Sequence, residues 1–364
     1  MGALSTAALL ALCGGAWWLL RDSTQPSAQA GEQPAAITPA EPAQDGPLGA
    51  ELATLLTAGN FHALQSRLIE TLTPDLTGDD GHVDVALRDP VKLTGLAQCE
   101  IIRQCTPEQM KDVLAKPNGA AFLGEFLRSP EWMESFLVSD PPAENFGVAL
   151  EHLRLLSERG ADLHLPVYRR LATAMALSGG KTLPYRMVDR FQHVQQAHRE
   201  LLLHASFDEL DVREMRWAVY FGGNREDYQY LLDDRQTTID GYFGSCWACW
   251  YRGHNDFGDT VQGPLYYLPW SHAWPGWERA RQVGGGGGSL SSFGSMSARS
   301  NGVPSTPVGQ PGHCAYIIRK GDEWPVAYSV TWPTGASTPG WEGTGYSTLH
   351  RLYEKVQNDR EAFR

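Results

Sequence analysis

Five consecutive glycines, Gly284 to Gly288, constrain the fold of this chain more than any other stretch of its sequence. Such a run is either a flexible linker or a backbone segment that passes where side chains have no room. The residues after it favour the second interpretation, because Ser289 is a predicted N-cap and Asn301-Gly302 is a predicted helix stop. A flexible linker is not followed at once by a helix that has both a start and a stop signal, so we predict a buried helix over 289–300.

Two strands are predicted after this helix. Residues 313–319 alternate, with His313 and Ala315 on one face of the strand and Cys314 on the other. A turn that contains Gly and Asp then leads to a returning strand over 324–332. Because Cys314 points away from His313 in this pattern, we do not predict that it is a nucleophile paired with that histidine.

The order of a glycine-rich loop, a buried helix, a Gly-x-Pro element and a strand that opens on Gly-His resembles the transglutaminase-like superfamily, which has a papain-like fold. It resembles the bacterial envelope members most, since these have a Gly-Gly-x-Cys-Gly helix start and a Gln-Pro-Gly-His strand start. The resemblance covers about Gly284 to Pro333. The residues that carry it are Gly284, Gly285, Gly288, Ser291, Phe293, Gly294, Ala298, Gly302, Pro304, Gly309, Gln310, Pro311, Gly312 and His313.

The resemblance implies an α+β fold. A helical N-terminal region over 48–236 precedes a papain-like, transglutaminase-like domain over 237–364, in which an antiparallel sheet packs on a buried helix. The family's nucleophile is a cysteine thiolate at the helix N-terminus, which a neighbouring imidazole helps to ionise. The resemblance places the imidazole at His313 and the nucleophile at Gly287, which has no side chain. It therefore implies acyl-transfer or amide-hydrolysis chemistry with its nucleophile missing.

The third catalytic position, an acid that orients the imidazole, falls near Ser329. The predicted strand there contains no Asp, Glu or Asn. The length of the preceding turn decides whether Ser329 or Val330 stands opposite His313. In either register this strand offers no carboxylate.

Ser289 is the one nearby side chain that could replace the missing thiol. Ser291 and Ser292 lie farther into the predicted helix, and we do not predict that either of them replaces the nucleophile. As an N-cap, however, Ser289 commits its hydroxyl oxygen to helix N–H groups. A nucleophile from elsewhere in the chain, such as Cys246 or Cys249, is the other alternative.

The chain has six cysteines. Exported proteins form disulfides, and the candidate local pairs are Cys99 with Cys105 and Cys246 with Cys249. Cys246-Trp-Ala-Cys249 also has the spacing of a redox or zinc site. Because there is no second such pair and no matched histidine, structural pairing or plain burial is favoured over a metal. We predict neither a metal nor a cofactor.

The region over 48–236 carries helix start and stop signals. Thr106-Pro107-Glu108-Gln109 supplies an N-cap, a proline at the first position and a capping-box glutamine, and Ser129-Pro130 repeats the start. Ser206 to Glu209 is another predicted capping box. Two helix stops are predicted, at Arg159-Gly160 and at Ser178-Gly179. We predict a helical scaffold without a site of its own.

After about Thr238 the sequence becomes dense in Trp, Tyr, Gly and Pro. Most of these rings are predicted to form the core of a loop-rich domain, because aromatic side chains dominate core burial. A few exposed rings would bind a peptide or a sugar.

The N-terminal residues 2–20 are almost entirely apolar. Segment 1–30 is predicted to be a signal peptide cleaved at Ala28-Gln29-Ala30 or a membrane anchor, and lipidation at Cys13 is a third interpretation. All three predict an exported protein that is periplasmic, anchored to the cell envelope or extracellular. Residues 31–47 are rich in Ala, Pro, Gln and Glu and are predicted to be a disordered linker.

The net charge of -12 argues against broad, non-specific binding of nucleic acid. We predict an exported or envelope-anchored protein with a degenerate cleft, which binds a peptide or cell-wall polymer or acts as a scaffold. Membrane contact is predicted only through the N-terminal segment. The first alternative is an active amide hydrolase or acyl transferase that uses His313 with a non-standard nucleophile. The second is an interaction protein built on the helical region.

Overall fold

The structure of this chain is a computed structural model that divides it into two compact units, Met1–Phe191 and Gln192–Arg364. The division falls earlier than the boundary after residue 236 that composition predicts, and that boundary stays a prediction. The structure describes residues 45–76, 88–138, 146–159, 162–179, 184–219, 225–254, 276–310 and 313–327. The predictions for segment 1–30, for most of the linker and for Ser329 lie outside these ranges.

Helices make up most of the described chain. In chain order they are α1 Ala50–Thr57, α2 Phe61–Leu76, α3 Pro90–Cys105, α4 Pro107–Leu114, α5 Gly119–Phe126, α6 Pro130–Val138, α7 Phe146–Arg159, α8 Pro166–Ser178, α9 Pro184–Arg199, α10 Val212–Val219, α11 Arg225–Asp233, α12 Ile239–Tyr242, α13 Trp277–Val283 and α14 Gly287–Ser300. Several begin with a proline, whose fixed φ and missing N–H suit the first helical position. The predicted starts at Pro107 and Pro130 and the stops after Arg159 and Ser178 are confirmed.

Two predicted caps have different outcomes. The Thr106 hydroxyl accepts from the Gln109 N–H at 3.3 Å, so this N-cap is confirmed. The capping box at Ser206 is wrong, because that residue lies inside a short 3-10 helix, Ala205–Glu209. The ring of His204 caps this helix by accepting from the Ser206 N–H at 3.2 Å. An imidazole nitrogen therefore supplies the acceptor that the sequence pattern assigns to a hydroxyl.

The first unit has an aromatic core. The Phe126 ring lies edge-on to Trp132, with centroids 5.5 Å apart, and to Phe136 at 5.6 Å. Such pairs contribute about 0.5–1.5 kcal/mol beyond their burial. The Trp132 Nε1–H donates to Thr173 Oγ1 at 3.0 Å, so the polar group of this indole is satisfied inside the core. These contacts hold α5, α6 and α8 together.

The second unit contains a three-stranded antiparallel sheet in the order β1 Ser305–Gln310, β2 His313–Ile318 and β3 Val326–Ala327. Strand β2 and part of the returning strand were predicted, but β1 was not, because Pro307 and Gly309 are uncommon in strands. Within the sheet that the described residues form, β1 is at the edge, where a missing N–H is tolerated. Mostly helical structure with this small antiparallel sheet is compatible with the predicted α+β class, and the papain-like fold stays a proposal.

Helix α14 packs against this sheet through a glycine. A Cβ on Gly294 would stand 2.5 Å from Tyr316 Cζ, so the tyrosine ring lies directly on the helix backbone. Tyr316 is fully buried, and its hydroxyl donates to the backbone oxygens of Tyr242 at 2.7 Å and Phe243 at 3.0 Å. Strand β2 is thereby joined to both α14 and the end of α12.

One predicted disulfide is wrong. Cys99 and Cys105 lie six residues apart on the continuous helix α3. That spacing is a rise of about 9 Å, which exceeds the Cα separation a disulfide spans. Both thiols are buried, and burial raises the pKa of Cys105 far above its ordinary value.

Candidate functional site

The glycine run is part of the packed structure and is not a linker. Gly284 is buried with φ at +79°, and a side chain there would collide with the Trp250 carbonyl. The Gly285 N–H donates to the Trp250 oxygen at 2.8 Å, and the Arg252 N–H donates to the Gly285 oxygen at 3.1 Å. This short parallel bridge fixes the run against residues 250–252 immediately before α14 begins.

Helix α14 begins at Gly287, two residues earlier than predicted. Its N-cap is Gly286, whose carbonyl accepts from the Leu290 N–H at 3.1 Å, so the assignment of Ser289 as the N-cap is wrong. The Ser289 side chain is partly buried and leans back over the loop, since a Cβ on Gly285 would stand 2.7 Å from its Oγ. Ser289 fills the space that the absence of a Gly285 side chain leaves.

Gly287 is a buried residue at the first position of this helix. The first N–H groups of a helix have no partner within it, and the helix dipole adds positive potential there. A thiolate or a ligand carboxylate is stabilised by such an end. The position that the family resemblance assigns to the nucleophile therefore has a positive potential that would stabilise a thiolate, although Gly287 carries no side chain.

The start of β2 lies beside this helix end. His313 is the first residue of the strand and pairs with Gln310 across the hairpin, as the predicted strand start requires. The next residue, Cys314, has its side chain near α14, so strand alternation puts position 313 on the opposite face of β2. The Cys314 Sγ is 4.0 Å from where a Cβ on Gly288 would stand.

Cys314 was not predicted to belong to the site, because strand alternation separates the two faces of β2 but does not tell which of them packs on α14. Tyr316 packs on α14, and Cys314 lies two residues before it on the same face of β2. Ala315 and Ile317 pack on the other face with Val308. Cys314 is half-buried, and burial raises the pKa of its thiol, which opposes the activation a nucleophile needs.

Cys246 and Cys249 lie under the same helix. They occupy a 3-10 helix, Ser245–Ala248, and the residue after it, and both are buried thiols. Burial raises the pKa of Cys246 to about 11 and that of Cys249 to about 12. Neither forms an appreciable amount of thiolate at neutral pH, so the structure gives neither of them the electrostatic surroundings of a nucleophile.

The aromatic residues of this region divide into two groups. Tyr242 and Trp277 are 1% and 4% exposed and belong to the core. Trp250 and Tyr251 are 69% and 54% exposed, and Trp247 is 42% exposed. The backbone of residues 250–252 carries the bridge to Gly285, so Trp250 and Tyr251 flank the glycine run.

An ion pair fixes the far end of β2. The Arg319 Nε–H donates to Glu214 Oε1 at 2.7 Å, and the Arg319 N–H donates to the Pro304 oxygen at 2.9 Å. Glu214 in turn caps α10 by accepting from the Asp211 N–H at 3.1 Å. Burial raises the pKa of Glu214 in spite of this guanidinium. The sheet that carries His313 and Cys314 is therefore anchored at the end remote from them.

Among the described residues, no three His, Cys, Asp or Glu side chains are grouped so that they would hold a metal ion. Within the same ranges no helix is both long enough and apolar enough to cross a membrane. Comparison of the chain with family models, with curated proteins and with solved structures found no match.

Proposed function

We propose that this protein is exported or anchored to the cell envelope, and that its C-terminal part is a catalytically degenerate, transglutaminase-like domain with a papain-like fold. In this proposal the cleft at Gly287 and His313 does not turn over substrate. It binds a peptide or a cell-wall polymer, and the helical region before it is a scaffold.

One observation carries the proposal. Gly287 opens a buried helix whose first turn lies beside the start of β2. Because Cys314 and Tyr316 share the face of β2 that packs on α14, strand alternation puts position 313 on the other face. The proposal is therefore supported by the helix end and not by an imidazole next to it. The backbone is kept while the side chain that would attack a carbonyl carbon is absent. The helix N-terminus can still accept the carbonyl oxygen or the carboxylate of a bound peptide.

The exposed rings support a binding role. Trp250 and Tyr251 stand beside the glycine run on a backbone that is hydrogen-bonded to it. Large aromatic side chains that remain exposed next to a helix N-terminus are typical of recognition surfaces, because they bury much area at little entropic cost. An extended peptide or a glycan strand has flat faces that fit such rings.

Binding is tested by co-sedimentation of the full chain with purified, insoluble peptidoglycan. We expect Trp250→Ala to weaken binding at least about tenfold, as for a single aromatic anchor. Tyr185→Ala is the matched control, because Tyr185 is also exposed, at 65%, but lies in the other unit. No binding by the parent contradicts a cell-wall ligand, and equal binding by the parent and both variants contradicts a binding site at Trp250.

The alignment of the degenerate site is tested by Gly287→Cys in a Cys314→Ser background. We expect the new thiol to react with iodoacetamide with a pKa below the ordinary value of about 8.5, because it sits on the helix N-terminus. Gly244→Cys is the control, since a Cβ there meets nothing within 4 Å and Gly244 does not begin a long helix. Indistinguishable pKa values for the two thiols would count against the family alignment.

An active amide hydrolase or acyl transferase is the competing proposal, and Cys314 is the one observation in its favour. A thiol at the N-terminus of α14 is where a substitute nucleophile would be needed. The rate at which iodoacetamide labels Cys314 as pH rises separates the two proposals. Labelling that is half-maximal below pH about 7 supports the enzyme, and labelling only above pH about 9 supports the binding protein.

A further inference from the structure

Cys246 and Cys249 stand at the two ends of one tight turn. The Cys249 N–H donates to the Cys246 oxygen at 3.2 Å, which is the hydrogen bond of a residue with its third predecessor. A turn closed in this way keeps its terminal Cα atoms within about 7 Å. A disulfide spans Cα separations of about 4.4–6.8 Å, so the backbone already meets the distance requirement.

The two side chains also lie on the same side of the chain. In a 3-10 helix, side chains three residues apart eclipse one another. Cys246 and Cys249 are 2% and 3% exposed, whereas Trp247 between them is 42% exposed. The charge on an ionised Cys246 contributes to the raised pKa of Cys249, as expected for neighbouring sulfur atoms. Both thiols are therefore buried, and their electrostatic interaction indicates that the two sulfur atoms are near each other.

We infer that Cys246 and Cys249 are a redox pair that closes to a disulfide in the presence of a small-molecule disulfide. We also infer that this bond stabilises the loop over 247–252, whose exposed rings include Trp250 and Tyr251 beside the glycine run. The inference does not depend on the proposed function, since it holds whether the neighbouring cleft binds a polymer or turns over a substrate. It assigns a covalent modification to two buried residues that the site itself does not use.

The reaction is an ordinary thiol–disulfide exchange with, for example, oxidised glutathione. In the opened or refolding chain, where neither thiol is buried, one cysteine loses its proton and its thiolate attacks the glutathione disulfide, so a mixed disulfide forms and one glutathione thiolate leaves. The second cysteine then loses its proton and attacks the protein sulfur of the mixed disulfide, which releases the second glutathione thiolate. Two protein thiols are oxidised to one disulfide, one glutathione disulfide is reduced to two thiols, and both protons pass to the glutathione thiolates.

The bond would act directly on the loop, because Trp250 follows Cys249 in the chain. The Trp250 oxygen and the Arg252 N–H are the two groups that hydrogen-bond to Gly285. In the chain-entropy model, a disulfide between Cys246 and Cys249 reduces the number of conformations of the opened loop between them by a factor of about twenty. The oxidised form is therefore expected to keep the bridge to the glycine run closed more of the time.

Formation of the bond is tested on the full chain by mass spectrometry. The protein is unfolded and refolded in a glutathione buffer with the oxidised form in excess, so that burial does not block the reagent. The tryptic peptide over 236–252 contains both cysteines, and we expect it two hydrogens lighter and resistant to alkylation. Cys314→Ser is the control that should leave this result unchanged, and Cys246→Ser should abolish it. A peptide that stays reduced, or Cys246 joined to Cys314, overturns the inference.

The effect on the loop is tested by amide hydrogen exchange in the oxidised and the reduced parent. We expect exchange of the Gly285 and Arg252 amides to slow on oxidation by up to about twenty-fold, the limit reached when opening of the bridge also opens residues 246–249. The amides of α8, in the other unit, are the internal reference and should not change. Equal exchange of the loop amides in both forms would show that the disulfide does not stabilise the loop, and would overturn that half of the inference.

Discussion

The contact between Gly294 and Tyr316 makes a quantitative prediction for Gly294→Ala. The added Cβ would stand 2.5 Å from Tyr316 Cζ and 2.8 Å from its hydroxyl oxygen, in a place where the ring is fully buried. Overpacking of this kind costs about 1–3 kcal/mol. Displacing the ring also weakens the hydroxyl hydrogen bonds to Tyr242 and Phe243, at about 1 kcal/mol. Better helix propensity offsets about 1 kcal/mol, so the free energy of unfolding should fall by about 1–3 kcal/mol.

Gly288→Ala is the matched control in the same helix. Gly288 is exposed, and a Cβ there would meet only Cys314 Sγ, at an ordinary contact distance of 4.0 Å. This substitution should change stability by less than about 1 kcal/mol and in the stabilising direction. In a Tyr316→Leu background the ring is absent, so Gly294→Ala should there cost at least about 1 kcal/mol less than in the parent.

The assay is urea unfolding followed by far-ultraviolet circular dichroism, with amide exchange in β1 and β2 as the readout specific to the second unit. Destabilisation by Gly294→Ala should accelerate exchange in these strands and leave α8 unchanged. Two results would refute this packing of α14 on β2. One is a free energy of unfolding of Gly294→Ala that equals that of Gly288→Ala. The other is a loss of unfolding free energy by Gly294→Ala that is the same with and without the Tyr316 ring.

Three further predictions test the surroundings of this core. Gly284→Ala should destabilise the protein by at least about 2 kcal/mol, because φ is +79° there and the added Cβ would stand 2.3 Å from the Trp250 oxygen. Gly244→Ala should be nearly neutral, and urea titration of both variants measures the difference. Arg154→Met should cost about 2–4 kcal/mol in the same assay, because Arg154 is 4% exposed, pairs with two glutamates and donates to the Pro117 oxygen. Burial lowers the pKa of His152 below its ordinary 6.5, so the unfolded state takes up the proton at a higher pH than the folded state. The free energy of unfolding should therefore fall as pH drops below about 6.5. Comparison of unfolding free energies at pH about 7.5 and 5.5 should show a smaller fall for His152→Gln than for the parent.

Local signals in the sequence were sufficient for much of the helical part. A proline at the first position and a hydroxyl before it fix a helix start through contacts within one turn, which is why the start at Pro107 was predicted correctly. The start of α14 was misplaced because Ser289 has the right chemistry for a cap. The backbone instead turns helical at Gly287, where the bridge from Gly285 to residues 250–252 sets its direction. That bridge joins segments far apart in sequence, so no local sequence pattern predicts it.

The candidate site was predicted in part for the same reason. The family resemblance placed Gly287 and His313 on a helix start and a strand start, and both positions are correct as elements of the fold. It gave no weight to Cys314, because the resemblance concerns the histidine beside it. Only the packing of Tyr316 on Gly294 reveals which face of β2 looks toward α14. The strand β1 was missed because its proline is compatible with a strand only at the edge of a sheet.

The structure changes what the glycine run implies about function. Glycine at 284 is required by its positive φ, and glycine at 285 leaves room for the Ser289 side chain, so these two are explained by packing alone. Gly288 has space for a side chain and faces the exposed side of the helix start. Structural need therefore accounts for only part of the run. A binding site at the helix end, where bare N–H groups meet a ligand, gives a reason to keep the remaining positions free of side chains. That is why the proposal rests on binding at this end, and why Trp250 is the side chain to test first.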